Sequence, residues 1–295
     1  MKRISFDEVR KNNVRTFILF IIFFGLVLGL SVLIGATLGN PYSGIGIAIV
    51  VFTLYSVIAW FQGKNISLRM AGAQKAPESR FNQLHNVVEE VSIAAGIPKP
   101  EVYIIHDSMM NAFATGTKPE NSAVAITTGL MERLNRDELT GVMAHEVAHI
   151  KHNDTRTMLM AGVLVGSVIL LSDLVFRTAI FGGGDNRDGR GQLIILVLGL
   201  VAMILAPLAA ELIKLAISRK REFAADAEAV TITRNPQGLI DALQKLSGQS
   251  KKHMKRSSRA LNHMYITPTE TQGWFQKLFS THPPTEQRIK HLSQM

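Results

Sequence analysis

The sequence predicts an α+β fold: a mainly helical integral membrane protein whose split polar domain carries a small sheet. Three observations lead there. From Thr16 to Gly63 there is no Asp, Glu, Lys or Arg. Two further charge-poor runs, 157–176 and 191–210, interrupt the second half. The polar remainder combines one helical apolar stripe with three short runs of strand character.

Bulk composition dilutes this pattern. Of 295 residues, 47% are apolar and 19% are charged, against about 25% charged in an average soluble domain. That excludes a disordered chain, because ample apolar surface is available for burial. Cysteine is absent, which excludes disulfides, iron–sulfur clusters and thiolate zinc sites. Any metal must therefore be held by His and carboxylates.

The chain divides as follows. Residues 1–15 form a basic N-terminal segment, and 16–62 a transmembrane hairpin with spans 16–38 and 44–61. A bilayer core needs about 20 apolar residues in a helix. The turn is Gly39-Asn40-Pro41-Tyr42-Ser43, and Trp60 ends the second span, where aromatic belts lie. Residues 63–156 are the first polar part. A second hydrophobic hairpin follows over 157–210, with runs 157–176 and 191–210, and residues 211–295 are the second polar part. Asp173 and Arg177 stand at ion-pair spacing near the end of the third run. A cleavable signal peptide is the competing reading of the first run. Lys2, Arg3, Arg10, Lys11 and Arg15 precede the first span, and Lys64, Arg69 and Lys75 follow the second. Basic residues mark cytoplasmic flanks, so both termini are expected inside, in a multi-pass protein of the plasma or inner membrane. The formal net charge of +9 reads as topology and contact with the lipid bilayer.

In the first polar part, Phe81, Leu84, Val87, Val88, Val91 and Ala95 fall on one stripe of a helix over Pro77–Ala95. Gly96 and Pro98 stop it. Glu101–His106, Asn111–Thr115 and Ser122–Thr127 read as strands, the last two around a turn at Gly116–Asn121. Asn135 starts the next helix. Glu138, three residues on, gives the capping-box spacing, and Asp137 places favourable charge in the first turn. Leu139, Val142, Met143 and Ile150 face the core. A further polar helix runs over Lys214–Thr231.

The Asn135 helix carries His145-Glu146-Val147-Ala148-His149. Positions i and i+4 share a helix face, so two imidazoles can converge on one Zn²⁺ at about 2.0–2.1 Å each. Glu146 lies off that direction and can reach a water held by the metal. A solvated face with two surface histidines is the competing reading. A third ligand is needed. His152 is seven residues after His145, but three ligands along about 10 Å of straight helix cannot meet one small ion. A carboxylate from another helix suits better: Glu222, with Asp226 one turn on to accept the second ring N–H of a ligand histidine. Otherwise Glu222 and Asp226 are a surface acidic pair.

H-E-V-A-H, a hydrophobic hairpin and then E-F-A-A-D together resemble the HtpX-type membrane zinc proteases, in a superfamily that includes the CAAX prenyl endoproteases. Asn111-Ala112-Phe113-Ala114 resembles that family's edge strand. Ser280-Thr281-His282-Pro283-Pro284 with Arg288-Ile289 resembles its C-terminal motif. The longer polar segment Met1–Arg15 departs from the pattern without touching the site. The resemblance implies a gluzincin-type zinc metalloprotease domain, one Zn²⁺ per chain, a cytoplasm-facing site, and hydrolysis of misfolded or damaged membrane proteins under stress. In that scheme His145, His149 and Glu222 hold the metal, and Glu146 is the general base. Asn111 and Ala112 align the substrate backbone as an added strand. His282 or Arg288 stabilises the developing oxyanion, unless His282 merely sits in a turn and Arg288 is an ion-pair partner.

Other classes fit less well. Lys251, Lys252, Lys255, Arg256 and Arg259 lack the interleaved aromatics of a nucleic-acid surface, so no nucleic acid is expected. A non-catalytic scaffold or channel would need polar rings in its spans, which are almost absent. A CAAX-type processing protease of one fixed substrate is the nearest alternative. Oligomeric state is not legible.

Overall fold

The computed structural model describes residues 40–160, 219–248 and 284–295, with scattered helical positions between 10 and 29. The described elements in chain order are α1 Pro41–Met70, β1 Gln74–Lys75, α2 Asn82–Ala95, β2 Glu101–Ile105, β3 Ala112–Lys118, β4 Asn121–Thr127, α3 Thr128–Arg133, α4 Arg136–Lys151, α5 Arg219–Thr233, α6 Pro236–Ser247 and α7 Thr285–Leu292. A further helical run covers 154–160.

α1 opens as the sequence directs. The Asn40 side chain accepts from the Tyr42 amide, and Pro41 takes the first helical position, where its missing N–H costs nothing. The helix continues past the expected end of the second span to Met70. Ile45, Ile49, Val50, Leu54, Val57, Ile58 and Phe61 along it are exposed. Among the described residues, no helix is long and apolar enough to cross a membrane. The expected spans 16–38 and 191–210 lie outside the continuously described residues, as does nearly all of 157–176.

The sheet has four strands in the order β1-β2-β4-β3. β1 and β2 run antiparallel, β2 and β4 parallel, and β3 and β4 antiparallel, with Ala112 opposite Ile126 and Phe113 opposite Ala125. The expected three strands are present. The fourth, β1, is two residues long and carries no hydrophobic alternation to announce it. β3 is the edge of the described sheet, and a register shift between Gly116 and Lys118 ends its regular pairing. Gly116 has φ 143, and a Cβ there would meet the Asn121 carbonyl and Ser122, so the hairpin requires glycine.

Period-two alternation gives the sheet two buried faces. Val102, Ile104, Ala112, Ala114, Val124 and Ile126 join the main core with α2 and α4. Ile105, Phe113, Ala123 and Ala125 face a second cluster with Leu68 of α1, its C-cap Ala71 and Met158. The last turns of α1 are thus pinned to the back of the sheet, and Lys64 on α1 donates to Glu101 on β2 at 2.5 Å.

α2 buries the expected stripe, Leu84, Val87, Val88, Val91 and Ala95, each large member contributing about 1.5–3 kcal/mol. It starts at Asn82, later than the expected Pro77. The backbone first makes a turn, with the Arg80 and Phe81 amides on the Pro77 carbonyl. Gly96 closes the helix at φ 71, a left-handed cap suited to glycine.

α4 is buried on every side from Gly141 to Ile150, as a helix packed on several elements must be. Its capping box is complete. Asn135 accepts from the Glu138 amide, and Glu138 accepts from the Asn135 amide. Sheet and α2 lie against it, and so do α5 and α6. Contact with α6 is backbone to backbone: a Cβ on Gly141 would lie 2.6 Å from the Leu239 nitrogen.

Candidate metal centre and active site

The two histidines of α4 project together because they are one helical turn apart. Their Nε2 atoms stand 3.2 Å from each other. α5 supplies Glu222, whose Oε2 is 3.6 Å from Nε2 of His145 and whose Oε1 is 3.6 Å from Nε2 of His149. Ala225 and Ala229 are buried on α5, and such small side chains permit close approach to α4. All three ligand residues are buried.

These distances have a specific meaning. Ligand atoms at about 2.0–2.1 Å from a tetrahedral ion lie about 3.3–3.4 Å apart. The 3.2 Å between the two nitrogens, and the 3.6 Å from each nitrogen to one of the two oxygens of Glu222, are close to that spacing. Two nitrogens and one oxygen are also the donor set of a catalytic zinc site. The triad fits a metal site.

The other nitrogen of each ring is committed. His145 Nδ1 is 3.0 Å from Oδ1 of Asp226, as the E-x-x-x-D spacing led us to expect of one ligand histidine. His149 Nδ1 is 2.9 Å from Oδ2 of Asp154. A neutral ring that donates Nδ1–H to a carboxylate presents the Nε2 lone pair to the metal position. Asp154 was not singled out from sequence. The available signal was an acidic residue just past the helix, after an asparagine. α4 ends with His152 as its cap. Asn153 then adopts φ 58, a left-handed conformation that asparagine tolerates, and the chain turns so that Asp154 meets His149.

A buried arginine backs each aspartate. Arg288 of α7 donates to Asp226 through Nε at 2.9 Å and Nη2 at 2.6 Å, a bidentate pair. Arg221 of α5 donates to Oδ1 of Asp154 at 3.3 Å. Both arginines are almost fully buried. Around the two imidazoles stand Glu146, Asp154, Glu222 and Asp226 against Arg221 and Arg288. Four negative charges less two positive leave −2 with neutral rings, which a divalent cation balances.

The potential is visible in single groups. Burial and Arg288 push the His145 imidazole down, but its bonds to Asp226 and Glu222 outweigh them and lift it from 6.5 to about 9. Burial works to raise the Asp226 carboxyl, yet Arg288 and His145 hold it well below the usual carboxylate range. Arg288 is kept charged against burial by Asp226, Glu222 and Glu146. The carboxylates that favour a positive charge on His145 favour a cation at the same place.

Glu146 follows His145 on α4 and is buried at 3% exposure. Arg288, expected either at the oxyanion or in an ion pair, holds Asp226, with Nη2 3.3 Å from Nδ1 of His145 and Nη1 3.9 Å from Glu222. His152 stays out of the triad, its Nε2 lying 3.7 Å from Oε2 of Glu228. Asn111 precedes the edge strand. Its carbonyl accepts from the Thr127 amide, and its side chain accepts from the Ala112 amide. Asn111 and Ala112 are buried. His282 lies outside the described residues.

A helix-borne His-Glu-x-x-His with a carboxylate ligand from a second helix defines a metallopeptidase-type centre. The comparisons with known proteins agree. The profile of Peptidase family M48 matches residues 78–295, and the chain belongs to that family. It is 42% identical to a protease HtpX homolog of Streptococcus gordonii, over 98% of this chain and 99% of the relative. It is 41% identical to a protease HtpX homolog of Thermoanaerobacter pseudethanolicus, over 100% and 99%. Among solved structures it is similar to Ste24p of S. mikatae, with a TM-score of 0.50 and 18% identity. That match covers 97% of this chain and 66% of the other, a likeness of fold. The family and the HtpX relatives support a metalloprotease.

Proposed function

We propose that this protein is a zinc endopeptidase of gluzincin type, anchored in a membrane with its active site on the cytoplasmic side. The observation that carries the reading is the His145–His149–Glu222 triangle beside Glu146. His145, His149 and Glu222 would hold one Zn²⁺. Bound there, zinc supplies a Lewis acid for the scissile carbonyl and lowers the pKa of water toward about 7.

Glu146 acts as general base. It takes the proton of the attacking water and returns it to the leaving amine. Asp226 and Asp154 hold the imidazoles in the tautomer that presents Nε2. Arg288 acts chiefly through Asp226. Edge strand β3, entered through Asn111 and Ala112, offers the register in which a substrate backbone pairs. An extended substrate fits that role, so unfolded or partly unfolded segments of membrane proteins are the proposed substrates, in clearance of damaged protein under stress.

Membrane attachment is supported by the charge-free sequence 16–63 and the exposed apolar side chains of α1. Arg156 lies 5.7 Å from the Trp60 ring centroid, an arrangement suited to a lipid–water boundary.

To test the function, the full chain in detergent is stripped of metal, and cleavage of casein is followed as Zn²⁺ is returned. Activity should vanish on stripping and return at one zinc per chain. Cleavage that survives stripping contradicts the reading. The chain has no cysteine, so Lys118→Cys on the sheet gives a single label for topology. An impermeant maleimide should reach it only from the inner face.

A further inference from the structure

We propose that Asp154, held by Arg221, is a positioning residue for His149 and ties the helix bearing Glu222 to the metal centre. The proposal rests on the zinc reading above and deepens it.

Asp154 is 1% exposed and Arg221 1% exposed. An ion pair so deeply buried is a poor source of stability, because desolvation of both charges offsets their attraction. Its place therefore calls for another role, and a third partner supplies one. Oδ2 of Asp154 is 2.9 Å from Nδ1 of His149, while Oδ1 accepts from Arg221 at 3.3 Å. The two oxygens divide the work. One fixes the ring orientation and tautomer of a metal ligand; the other anchors the carboxylate.

The anchor carries a second consequence. Arg221 immediately precedes Glu222 on α5, so the same turn of helix provides the carboxylate ligand and the cation that holds Asp154. In the chain, Asp154 lies just before the apolar run 157–176 and Arg221 shortly after the run 191–210. Arg221–Asp154 thus joins the two flanks of the hydrophobic insertion at the metal centre, 67 positions apart. Arg288–Asp226–His145 performs the corresponding task on the other imidazole, which makes the centre two parallel arginine–aspartate–histidine relays converging on Glu222.

The test uses Zn²⁺ itself, on the full chain in detergent, with affinity measured by chelator competition. Three variants are compared with the unaltered protein: Asp154→Leu and Asp154→Asn, nearly isosteric, and Arg221→Met. Leucine removes the acceptor for Nδ1–H, whereas asparagine keeps an oxygen there. Loss of such a partner costs about 10–100-fold in metal affinity. The expected result is a zinc Kd raised by about that factor in Asp154→Leu, with most of it recovered in Asp154→Asn. Co²⁺-loaded Asp154→Leu should show a shifted visible spectrum, as expected when His149 no longer holds its direction. Arg221→Met should weaken zinc in the same sense. Equal zinc affinity in Asp154→Leu and the unaltered protein overturns the proposal while the zinc reading stands. Equal losses in the leucine and asparagine variants also overturn it, since a purely structural carboxylate would give that pattern. If the unaltered chain binds no zinc, both readings fall together.

Discussion

Arg288 and Asp226 face each other through two hydrogen bonds of 2.6 and 2.9 Å, and the same carboxylate stands 3.0 Å from Nδ1 of His145. The geometry makes Arg288 a support of the ligand set. Arg288→Met leaves Asp226 as a buried carboxylate without its guanidinium, and such a break costs about 3–5 kcal/mol. Chemical unfolding of the zinc-free protein should show a loss of that size, and zinc affinity should fall in parallel. If stability and zinc affinity are kept while kcat alone drops, Arg288 acts on the substrate oxyanion instead.

Glu228 gives a pH prediction away from the triad. The His152 ring, 3.7 Å away, lowers its pKa most; burial opposes this, and the 2.6 Å bond from Lys151 adds to the lowering, from 4.5 to about 2. A depressed folded-state pKa stabilises above the unfolded value and loses that contribution as pH falls through the folded value. Between pH 4.5 and about 2 the unaltered protein should therefore lose melting temperature more steeply than Glu228→Gln. Parallel curves through that window would show that Glu228 makes no such contribution.

Gly141 allows α4 and α6 to touch along their backbones. A Cβ there would stand 2.6 Å from the Leu239 nitrogen and 2.8 Å from its Cα. Alanine would gain about 1 kcal/mol of helix propensity. Here the neighbour is backbone and cannot rotate away, and overpacking of this kind costs about 1–3 kcal/mol. Gly141→Ala should therefore lower the melting temperature. Gly248→Ala, whose Cβ would meet nothing closer than 3.6 Å, should leave it nearly unchanged. Equal melting curves for the two variants would remove the close contact from the explanation.

Local chemistry was legible in the sequence, and long-range closure was not. The capping box of Asn135 and Glu138 spans four residues, so spacing alone places the helix that carries His145 and His149. Glu222 and Asp226 are also local as a pair, and helix geometry ties one to the metal and the other to a ring nitrogen. Asp154 is not legible because its role depends on the backbone of Asn153 turning through a left-handed conformation, which spacing rules for a straight helix do not contain. Arg221 is not legible because its partner lies 67 positions away. For Arg288 the sequence leaves two roles open; its partner Asp226, 62 positions away, emerges only when α7 packs on α5. In the sheet, the alternation in β2, β3 and β4 showed itself, whereas two-residue β1 offered no pattern to read. α6 could have been found: Asn235 and Pro236 form a cap and first turn, and Leu239, Ile240, Leu243 and Leu246 share one face.

The most direct measurement is casein cleavage by purified Glu146→Gln, with bound zinc quantified in the same sample. The substitution keeps the shape of the side chain and removes only its capacity to take a proton. Turnover should fall by about 10²–10⁴-fold, with one zinc per chain still bound and the melting temperature unchanged. Undiminished turnover in the zinc-loaded variant would contradict the assignment of Glu146, and with it the reading of His145, His149 and Glu222 as a hydrolytic centre.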